Sequence, residues 1–203
     1  MGGSHSDRPL LHAGSYDVGC FSVERGAVVD SWMNPTGFSS VEAANAARGH
    51  LEEVGLLAQD HSVVATGYGR NAVSYADKVV TEITCHGKGA ASLFGPDGAV
   101  IDVGGQDTKV IWLSDGVVKK FMMNDKCAAG TGRFLEIMAD RLAVSQLELA
   151  DLARVGKPTT ISSMCTVFAE SEVISLVGRG EPRENIARGV IDSVVGRVAA
   201  MAS

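Results

Sequence analysis

Residues 98–123, GAVIDVGGQDTKVIWLSDGVVKKFMM, contain three short apolar runs separated by two turns. The first run ends at a pair of glycines, Gly104 and Gly105. The Ser-Asp-Gly sequence at 114–116 is typical of a hairpin turn, and it separates the second run from the third. The pattern predicts an antiparallel β-meander with an unusually glycine-rich first connection. The predicted strands are residues 99–103, 108–113 and 117–123.

The segments on either side of this meander alternate between helix-like and strand-like patterns. This alternation predicts a layered α/β fold. The strong Gly-Pro-Asp-Gly turn at 95–98 predicts a boundary between an N-terminal subdomain, residues 1–97, and a second subdomain, residues 98–203. The predicted helices are residues 42–57, 79–94, 132–142, 146–155, 168–177 and one that begins at Pro182; further strands are predicted at 62–66 and 160–163, and residues 1–14 are predicted to be irregular.

The composition excludes several classes of function. The 203 residues carry 24 acidic and 18 basic side chains, a formal charge of −6, so the chain has no electrostatic reason to bind nucleic acid. No apolar run approaches the ~20 residues of a membrane span, and the first residues contain no hydrophobic signal core. We therefore predict a cytoplasmic protein that contacts neither nucleic acid nor membrane.

The glycine turn after the first strand of the meander is the first candidate site. Backbone N–H groups at Gly104 and Gly105 can approach an anion because no Cβ shields them. Asp102 at the strand end can bind Mg²⁺, directly or through water, and Gln106 can orient an attacking water. The alternative is an ordinary tight hairpin turn with polar decoration. The sequence contains no P-loop motif and no Gly-x-Gly-x-x-Gly motif after a strand.

Two cysteines, Cys127 and Cys165, each lie between a predicted strand and a predicted helix. The positive end of a helix dipole stabilises negative charge at such a position. A tetrahedral thiolate site needs four sulfurs, and two chains related by a two-fold axis would supply them. The pattern leads to two hypotheses. One is a symmetric dimer that holds a [4Fe–4S] cluster or, second, Zn²⁺; the other, which the residues alone favour, is that both are buried structural thiols.

The other two cysteines carry less information. Cys85 lies next to His86, and adjacent side chains on a helix point about 100° apart, so they do not converge on one ligand. We interpret Cys85 as core packing, and Cys20 gives no usable signal.

Five longer motifs stand in an order found in a known family. They are ATGYGR (residues 65–70), TEITCH (81–86), IDVGGQD (101–107), MNDKCAAGTGRF (123–134) and ISSMCTVFAESEVIS (161–175). Together they resemble the ATP-dependent activators of 2-hydroxyacyl-CoA dehydratases, a family that also contains the ATPase subunits of benzoyl-CoA reductase. The resemblance implies an α/β, actin-like (sugar kinase/chaperone-type) ATPase fold of two ribonuclease-H-like subdomains.

The resemblance also implies an activity. Proteins of this family are homodimers with one [4Fe–4S] cluster between the subunits, which implies that Cys127 and Cys165 of each chain are its ligands. ATP hydrolysis then drives one low-potential electron into the partner dehydratase or a related reductase component, with ferredoxin or flavodoxin as the donor. We therefore expect ATP, Mg²⁺ and a shared [4Fe–4S] cluster as cofactors.

The family also implies roles for residues around the nucleotide. Gly104 and Gly105 are expected to hold the ATP phosphates and Gln106 to orient water, with Asp107 beside them. Asp17 and Asp102 are expected to position Mg²⁺. In this reading, residues 16–20 (Tyr-Asp-Val-Gly-Cys) are the remnant of the family's phosphate-binding Asp-x-Gly-Ser/Thr turn, which makes Gly19 a further nucleotide contact.

Two departures from the family pattern leave other functions open. The segment from Asp17 to Ala65 is shorter than in the family, and the chain stops at Ser203, before the family's second glycine-glycine turn. The second subdomain is therefore expected to be incomplete at its C-terminus. The alternatives are a cluster- or zinc-bridged, non-catalytic dimer that has lost nucleotide binding, and an ATPase subunit of a benzoyl-CoA-type reductase. A small-molecule kinase is disfavoured because it has no use for two cysteines at helix starts.

Overall fold

The computed structural model describes residues 10–13, 17–24, 27–57, 62–162 and 165–203. The chain divides into two compact units, an N-terminal unit of residues 1–89 and a C-terminal unit of residues 90–203. This division falls slightly before the boundary expected at residues 97 and 98. Among the described residues, no helix combines the length and the apolar character needed to cross a lipid bilayer.

The N-terminal unit is built on a five-stranded mixed sheet with the order β3-β2-β1-β4-β5. Strand β2 is antiparallel to both of its neighbours, β1 and β3, and β4 and β5 continue the sheet in parallel with β1. The strands are β1 (Leu10–Ala13), β2 (Asp17–Glu24), β3 (Ala27–Pro35), β4 (Val64–Thr66) and β5 (Lys78–Val79).

The central strand β1 corrects one expectation from the sequence. Residues 10–13 were expected to be irregular, but they pair with β2 on one side and with β4 on the other. Backbone hydrogen bonds from both neighbours hold this segment as a strand. Four residues have no local periodicity that would reveal such pairing.

Helix α1 (Ser40–Glu53) packs on this sheet. It begins at the N-cap Ser39, whose side chain accepts a hydrogen bond from the Glu42 N–H, and Gly55 follows its end with a positive φ of 75°. The core between helix and sheet contains Val18 and Cys20 from β2 and Ala44, Ala47 and Leu51 from α1. The predicted helix at 42–57 is confirmed, with an earlier end.

The C-terminal unit contains the predicted β-meander. Helix α2 (Glu82–Phe94) leads into it, and its antiparallel strands are β6 (Gly98–Val103), β7 (Thr108–Ser114) and β8 (Val117–Asn124). Asp115 and Gly116, between β7 and β8, both have positive φ angles, of 53° and 67°. Two left-handed residues in a two-residue connection form the turn that matches the twist of a hairpin.

Four helices form the rest of this unit: α3 (Gly132–Arg141), α4 (Gln146–Val155), α5 (Thr166–Gly178) and α6 (Arg183–Ala202). Their apolar faces share one core, to which Phe134, Met138, Leu149, Val173, Ile186 and Val190 contribute fully buried side chains. This core explains the helical periodicity of the sequence, because each helix buries one stripe of apolar residues.

The strand predicted at 160–163 is wrong for residues 160–162, and residue 163 lies outside the described residues. Ile161 packs into the helical core. The backbone N–H of Ser162 donates to the carboxylate of Glu172, at 3.1 and 3.2 Å, and not to a neighbouring strand. A short apolar run has the same appearance in sequence whether a strand or a helix layer buries it.

Helix α4 begins with a capping box that gives a first testable prediction. The Ser145 side chain accepts from the Glu148 N–H at 3.2 Å, and the Ser145 N–H donates to the Glu148 carboxylate at 2.7 Å. Replacing Ser145 with alanine is expected to lower the free energy of unfolding by about 1 kcal/mol at pH 7. Urea denaturation followed by circular dichroism measures this loss, with Gln146→Ala as a control outside the box.

The same box gives the cap a pH dependence. The hydrogen bonds from Ser145 hold the pKa of Glu148 below its usual range. Because the pKa is lower in the folded state than in the unfolded state, the ionised Glu148 carboxylate adds to the free energy of unfolding above the ordinary carboxyl pKa. This stabilisation is lost as the pH falls through the lowered pKa of the folded state. Alanine at position 145 keeps the backbone N–H that binds the Glu148 carboxylate, so Glu148→Ala is the variant that tests this pH dependence. The difference in the free energy of unfolding between Glu148→Ala and the unmodified chain should shrink in acid, and a constant difference would contradict the assignment.

Candidate functional site

The glycine turn between β6 and β7 closes tightly on itself. The Gly104 N–H donates to the carbonyl oxygen of Asp107 at 2.9 Å. A Cβ at position 104 would lie 2.9 Å from an Asp107 carboxylate oxygen and 3.1 Å from its carbonyl oxygen. Glycine is therefore required here by the packing of the turn.

The turn is joined directly to the beginning of α3. The N–H groups of Gly132 and Arg133 donate to the carbonyl oxygens of Gly104 and Gly105, at 2.8 and 2.9 Å. A Cβ at Gly132 would lie 3.1 Å from the Gly104 carbonyl oxygen, so the helix approaches closely because it begins with glycine. The first N–H groups of α3, which have no partner within the helix, are thus satisfied by the turn.

This arrangement orients the opposite side of the turn. A trans peptide bond points its C=O and its N–H in opposite directions, and the described chain contains no cis peptide. Because the carbonyls of Gly104 and Gly105 point at α3, the N–H groups of Gly105 and Gln106 point away from it. Both residues are exposed. Two successive outward N–H groups on a bare turn are suited to contact an anion.

A buried ion pair supports the turn from below. Lys109, only 2% exposed, places its Nζ 2.7 Å from an Asp107 carboxylate oxygen and 3.6 Å from one of Asp102. Asp107 is itself buried, whereas the Asp102 side chain is 27% exposed. Of the two carboxylates, Asp102 is therefore the one open to an external ligand. The role of Lys109 as a buried partner of Asp107 was not predicted from the sequence. A charged residue in an otherwise apolar strand could have indicated it.

The expected N-terminal phosphate residues lie in the N-terminal unit, on β2. Asp17 is the exposed first residue of this strand. Gly19 is buried within it and pairs with His12 on β1 and Met33 on β3, so the structure places it in a strand and not in a turn. The connection from β1 to β2, residues 14–16, lies outside the described residues. The nucleotide roles of Asp17 and Gly19 stay predictions.

Cys127 lies in the connection between β8 and α3, with an exposed, free thiol. The Asn124 side-chain amide donates to the carbonyl oxygens of Cys127 and Ala129, at 2.9 and 3.0 Å. Cys127 precedes the helix N-cap Thr131 by four residues. Two of the N–H groups at the start of α3, those of Gly132 and Arg133, bind the glycine turn and so do not face the Cys127 thiol.

Two buried threonines hold the rest of this connection. Thr131 Oγ1 donates to the Ala128 carbonyl oxygen, and Thr108 Oγ1, from β7, donates to that of Gly130, both at 2.6 Å. The segment that carries Cys127 is therefore tied both to the meander and to α3. Asn124, Thr108 and Thr131 were not identified from the sequence, because their partners are backbone groups.

Cys165 is the N-cap residue of α5, which confirms its predicted position at a helix start, and its thiol is exposed and free. Its side chain makes no capping hydrogen bond, and the neighbouring Thr166 Oγ1 is buried without a hydrogen-bond partner in the described part of the chain. Val167 and Phe168 follow on the first turn, 65% and 68% exposed. The end of α5 thus presents a thiol beside apolar surface.

The donor set fits half of a four-thiolate centre. Cys127 and Cys165 are both free and exposed, which contradicts the alternative of buried structural thiols. Helices α3 and α5, which follow the two cysteines, belong to the same unit and are linked by an ion pair between Arg141 and Glu170 at 2.5 Å. Cysteine thiolates are the ligands of [4Fe–4S] clusters, and four are needed.

Known proteins are similar to this chain in sequence and in fold. The activator of lactoyl-CoA dehydratase from Anaerotignum propionicum is 53% identical over 155 residues, 75% of this chain and 60% of that protein. The crystal structure of the Acidaminococcus fermentans (R)-2-hydroxyglutaryl-CoA dehydratase component A matches with a TM-score of 0.82 and 41% identity, covering 95% of this chain and 76% of that chain.

A second solved structure gives the same result. The activator of the 2-hydroxyisocaproyl-CoA dehydratase from Clostridium difficile, with bound ADPNP, matches with a TM-score of 0.81 and 38% identity, covering 97% of this chain and 75% of that chain. The chain spans 60 to 68% of the length of the curated relatives that it matches first.

The two structural matches confirm the actin-like ATPase fold. A sequence model of one family covers residues 17–203, and on that evidence the chain belongs to the BadF/BadG/BcrA/BcrD ATPase family.

Proposed function

We propose that the protein is an ATP-hydrolysing iron–sulfur activator that delivers electrons to a partner 2-hydroxyacyl-CoA dehydratase. The observation that carries this proposal is the direct connection between the glycine turn and the cysteine-bearing segment. Gly132 and Arg133, at the start of α3, bind the turn through their N–H groups, and Cys127 lies on the segment immediately before that helix.

On the nucleotide side, the outward N–H groups of Gly105 and Gln106 are the proposed phosphate contacts. Asp102 is the proposed Mg²⁺ ligand, directly or through water, because its carboxylate is partly exposed. The Gln106 side chain is the proposed group that orients the attacking water. The bound ADPNP in the related activator from Clostridium difficile supports a nucleotide at this fold.

On the redox side, Cys127 and Cys165 of two copies of the chain are the proposed ligands. A [4Fe–4S] cluster bound there would supply a one-electron carrier. The exposed apolar side chains of Val167 and Phe168, beside Cys165, are available for contact with the second copy. Ferredoxin or flavodoxin is the proposed electron donor, and the dehydratase is the acceptor.

The link through α3 supplies the coupling that such an activator needs. A change of nucleotide at the turn alters the positions of the Gly104 and Gly105 carbonyls. Their hydrogen bonds to Gly132 and Arg133 transmit that shift to the start of the helix and to the segment that carries Cys127. The two functional ends of the site therefore respond to each other through backbone groups.

Gln106 tests the nucleotide half of the proposal. We expect Mg-ATP to raise the thermal unfolding midpoint of the unmodified chain, because a ligand that binds only the folded state stabilises it. Gln106→Ala should retain this shift and lower the ATP turnover rate by about 10²-fold. Lys119→Ala is the matched control, since Lys119 is exposed at the opposite end of the same meander.

The partner test separates the proposed function from its alternatives. Chain reconstituted anaerobically with iron and sulfide should support dehydration by a 2-hydroxyacyl-CoA dehydratase only when ATP and a low-potential reductant are both present. Activity with a benzoyl-CoA-type reductase component alone would assign it to that system instead. A bridged dimer without an ATP-induced thermal shift would identify the non-catalytic alternative and overturn the proposal.

A further inference from the structure

A second group of metal-binding side chains belongs to the N-terminal unit, whereas Cys127 and Cys165 belong to the C-terminal unit. One ligand atom each from Cys20, Asp30 and His50 lies within 4.8 Å of the other two. His50 Nε2 is 2.8 Å from an Asp30 carboxylate oxygen. The sulfur of Cys20 is fully buried, and Asp30 and His50 are partly buried.

The strand register explains why these residues converge. Cys20 on β2 pairs with Trp32 on β3, and Ser22 pairs with Asp30, so these four side chains share one face of the sheet. Helix α1 packs on that face and contributes His50 from its last turn. The Trp32 ring stacks on the His50 ring, with centroids 5.6 Å apart and planes at 15°, which orients the imidazole.

An independent observation points to a ligand at this group. Ser22 is 2% exposed, and its Oγ has no hydrogen-bond partner within the part of the chain that the structure describes. Its register position places it directly opposite Asp30. A simple ion pair between His50 and Asp30 above a core thiol leaves this hydroxyl unsatisfied, and a buried polar group without a partner is costly.

The donor set of the group suits a divalent cation. A thiolate from Cys20 and a carboxylate from Asp30 carry two negative charges, which a divalent cation would balance, so that the buried site is neutral overall.

We propose that Cys20 Sγ, His50 Nε2 and one Asp30 carboxylate oxygen bind a Zn²⁺ ion, with a water molecule as the fourth ligand. Sulfur, imidazole nitrogen and carboxylate oxygen are the three donor types that Zn²⁺ takes in tetrahedral sites. The metal-bound water donates a hydrogen bond to Ser22 Oγ, which satisfies the orphaned hydroxyl. On binding, the thiol proton is released to solvent, and the imidazole carries its proton on Nδ1.

The proposed ion joins α1 to strands β2 and β3 and so stabilises the N-terminal unit. It does not depend on the electron-transfer proposal, because its ligands belong to a separate set. The two sites are kept apart experimentally by measuring the full chain in a Cys127→Ser/Cys165→Ser background. This background removes the proposed cluster ligands and retains Cys20 and Cys85 as the remaining thiols.

Cobalt(II) and zinc are the probes. After removal of metal with a chelator, one equivalent of Co²⁺ should produce thiolate-to-cobalt charge-transfer absorption, and Zn²⁺ should abolish it by displacement. Zn²⁺ should also raise the thermal unfolding midpoint. Absence of the charge-transfer band in this background would overturn the proposal.

Point variants assign the ligands. Cys20→Ser should remove the charge-transfer band, and Ser22→Ala should retain it while weakening zinc affinity by about 10-fold, the effect of losing a group that hydrogen-bonds a metal-bound ligand. Circular dichroism in the presence of chelator shows whether Cys20→Ser folds. If it does not fold, His50→Gln replaces it as the test, and this variant should weaken the binding of both Co²⁺ and Zn²⁺. The matched control is Cys85→Ser, and a band that follows Cys85 in place of Cys20 would refute the assignment.

Discussion

Replacing Cys127 with serine is expected to abolish iron binding at the proposed intersubunit centre and to eliminate electron delivery to the dehydratase. The thiolate is the iron ligand, and its loss from both copies removes two of the four sulfurs. The fold around residue 127 should survive, because Asn124 holds its backbone carbonyl, which serine retains. Anaerobic reconstitution followed by iron analysis and absorption spectroscopy measures the loss.

The control and a companion variant make this result specific. Cys85→Ser removes a partly buried thiol of α2 and should leave iron content unchanged. Cys165→Ser should reproduce the loss seen at position 127, since each chain is proposed to supply both sulfurs. Mg-ATP should still raise the unfolding midpoint of each variant. Full iron content and unchanged absorption in Cys127→Ser would refute the cluster assignment.

Replacing Lys109 with methionine is expected to destabilise the C-terminal unit by about 3–5 kcal/mol, the range measured when one partner of a buried ion pair is removed. Methionine retains the apolar stem, so the change isolates the ammonium group. The Asp107 carboxylate, buried within 2.7 Å of the Lys109 Nζ, would then lie without its cation. Urea denaturation at pH 7, monitored by circular dichroism, gives the free energy of unfolding.

A second substitution distinguishes a lost charge from lost packing. In the Lys109→Met/Asp107→Asn double variant, the uncompensated charge at position 107 is absent, so most of the stability should return. If the double variant is no more stable than Lys109→Met, the ion pair is not the source of the effect. If Lys109→Met lowers the free energy of unfolding by less than about 1 kcal/mol, the Lys109–Asp107 pair contributes no more than an ordinary exposed ion pair.

The glycine turn could be predicted from the sequence, but its contact with α3 could not. The sequence predicted the turn and the strands on both sides of it, because bare glycines between apolar runs identify such a connection. It did not predict that Gly132, 27 positions beyond Gly105 in the chain, donates to the carbonyl of Gly104. A backbone hydrogen bond between distant segments leaves no mark in the side-chain pattern. The one trace is the glycine at position 132, where a Cβ would crowd the carbonyl oxygen of Gly104.

For the cysteines, the sequence predicted their local positions but not the groups that surround them. Their positions near helix starts were readable, and the structure confirms Cys165 as an N-cap. Cys127 was expected beside the positive end of a helix dipole, but the N–H groups of Gly132 and Arg133 at that end bind the glycine turn. The packing of α3 against residues 104 and 105 brings this about. Cys20 gave no signal in sequence, yet β-strand register and the packing of α1 bring it to Asp30 and His50.

The family, the α/β class, the meander and the placement of two cysteines before helices could be predicted from the amino-acid sequence, since apolar periodicity, turn residues and ordered motifs are properties of short segments. The exposure of those cysteines and the meeting of polar groups became visible only in the folded chain: Lys109 with Asp107, α3 with the glycine turn, and Cys20 with His50. Desolvation, ion pairing and metal coordination depend on distances between segments that lie far apart along the chain, and such distances leave no local pattern.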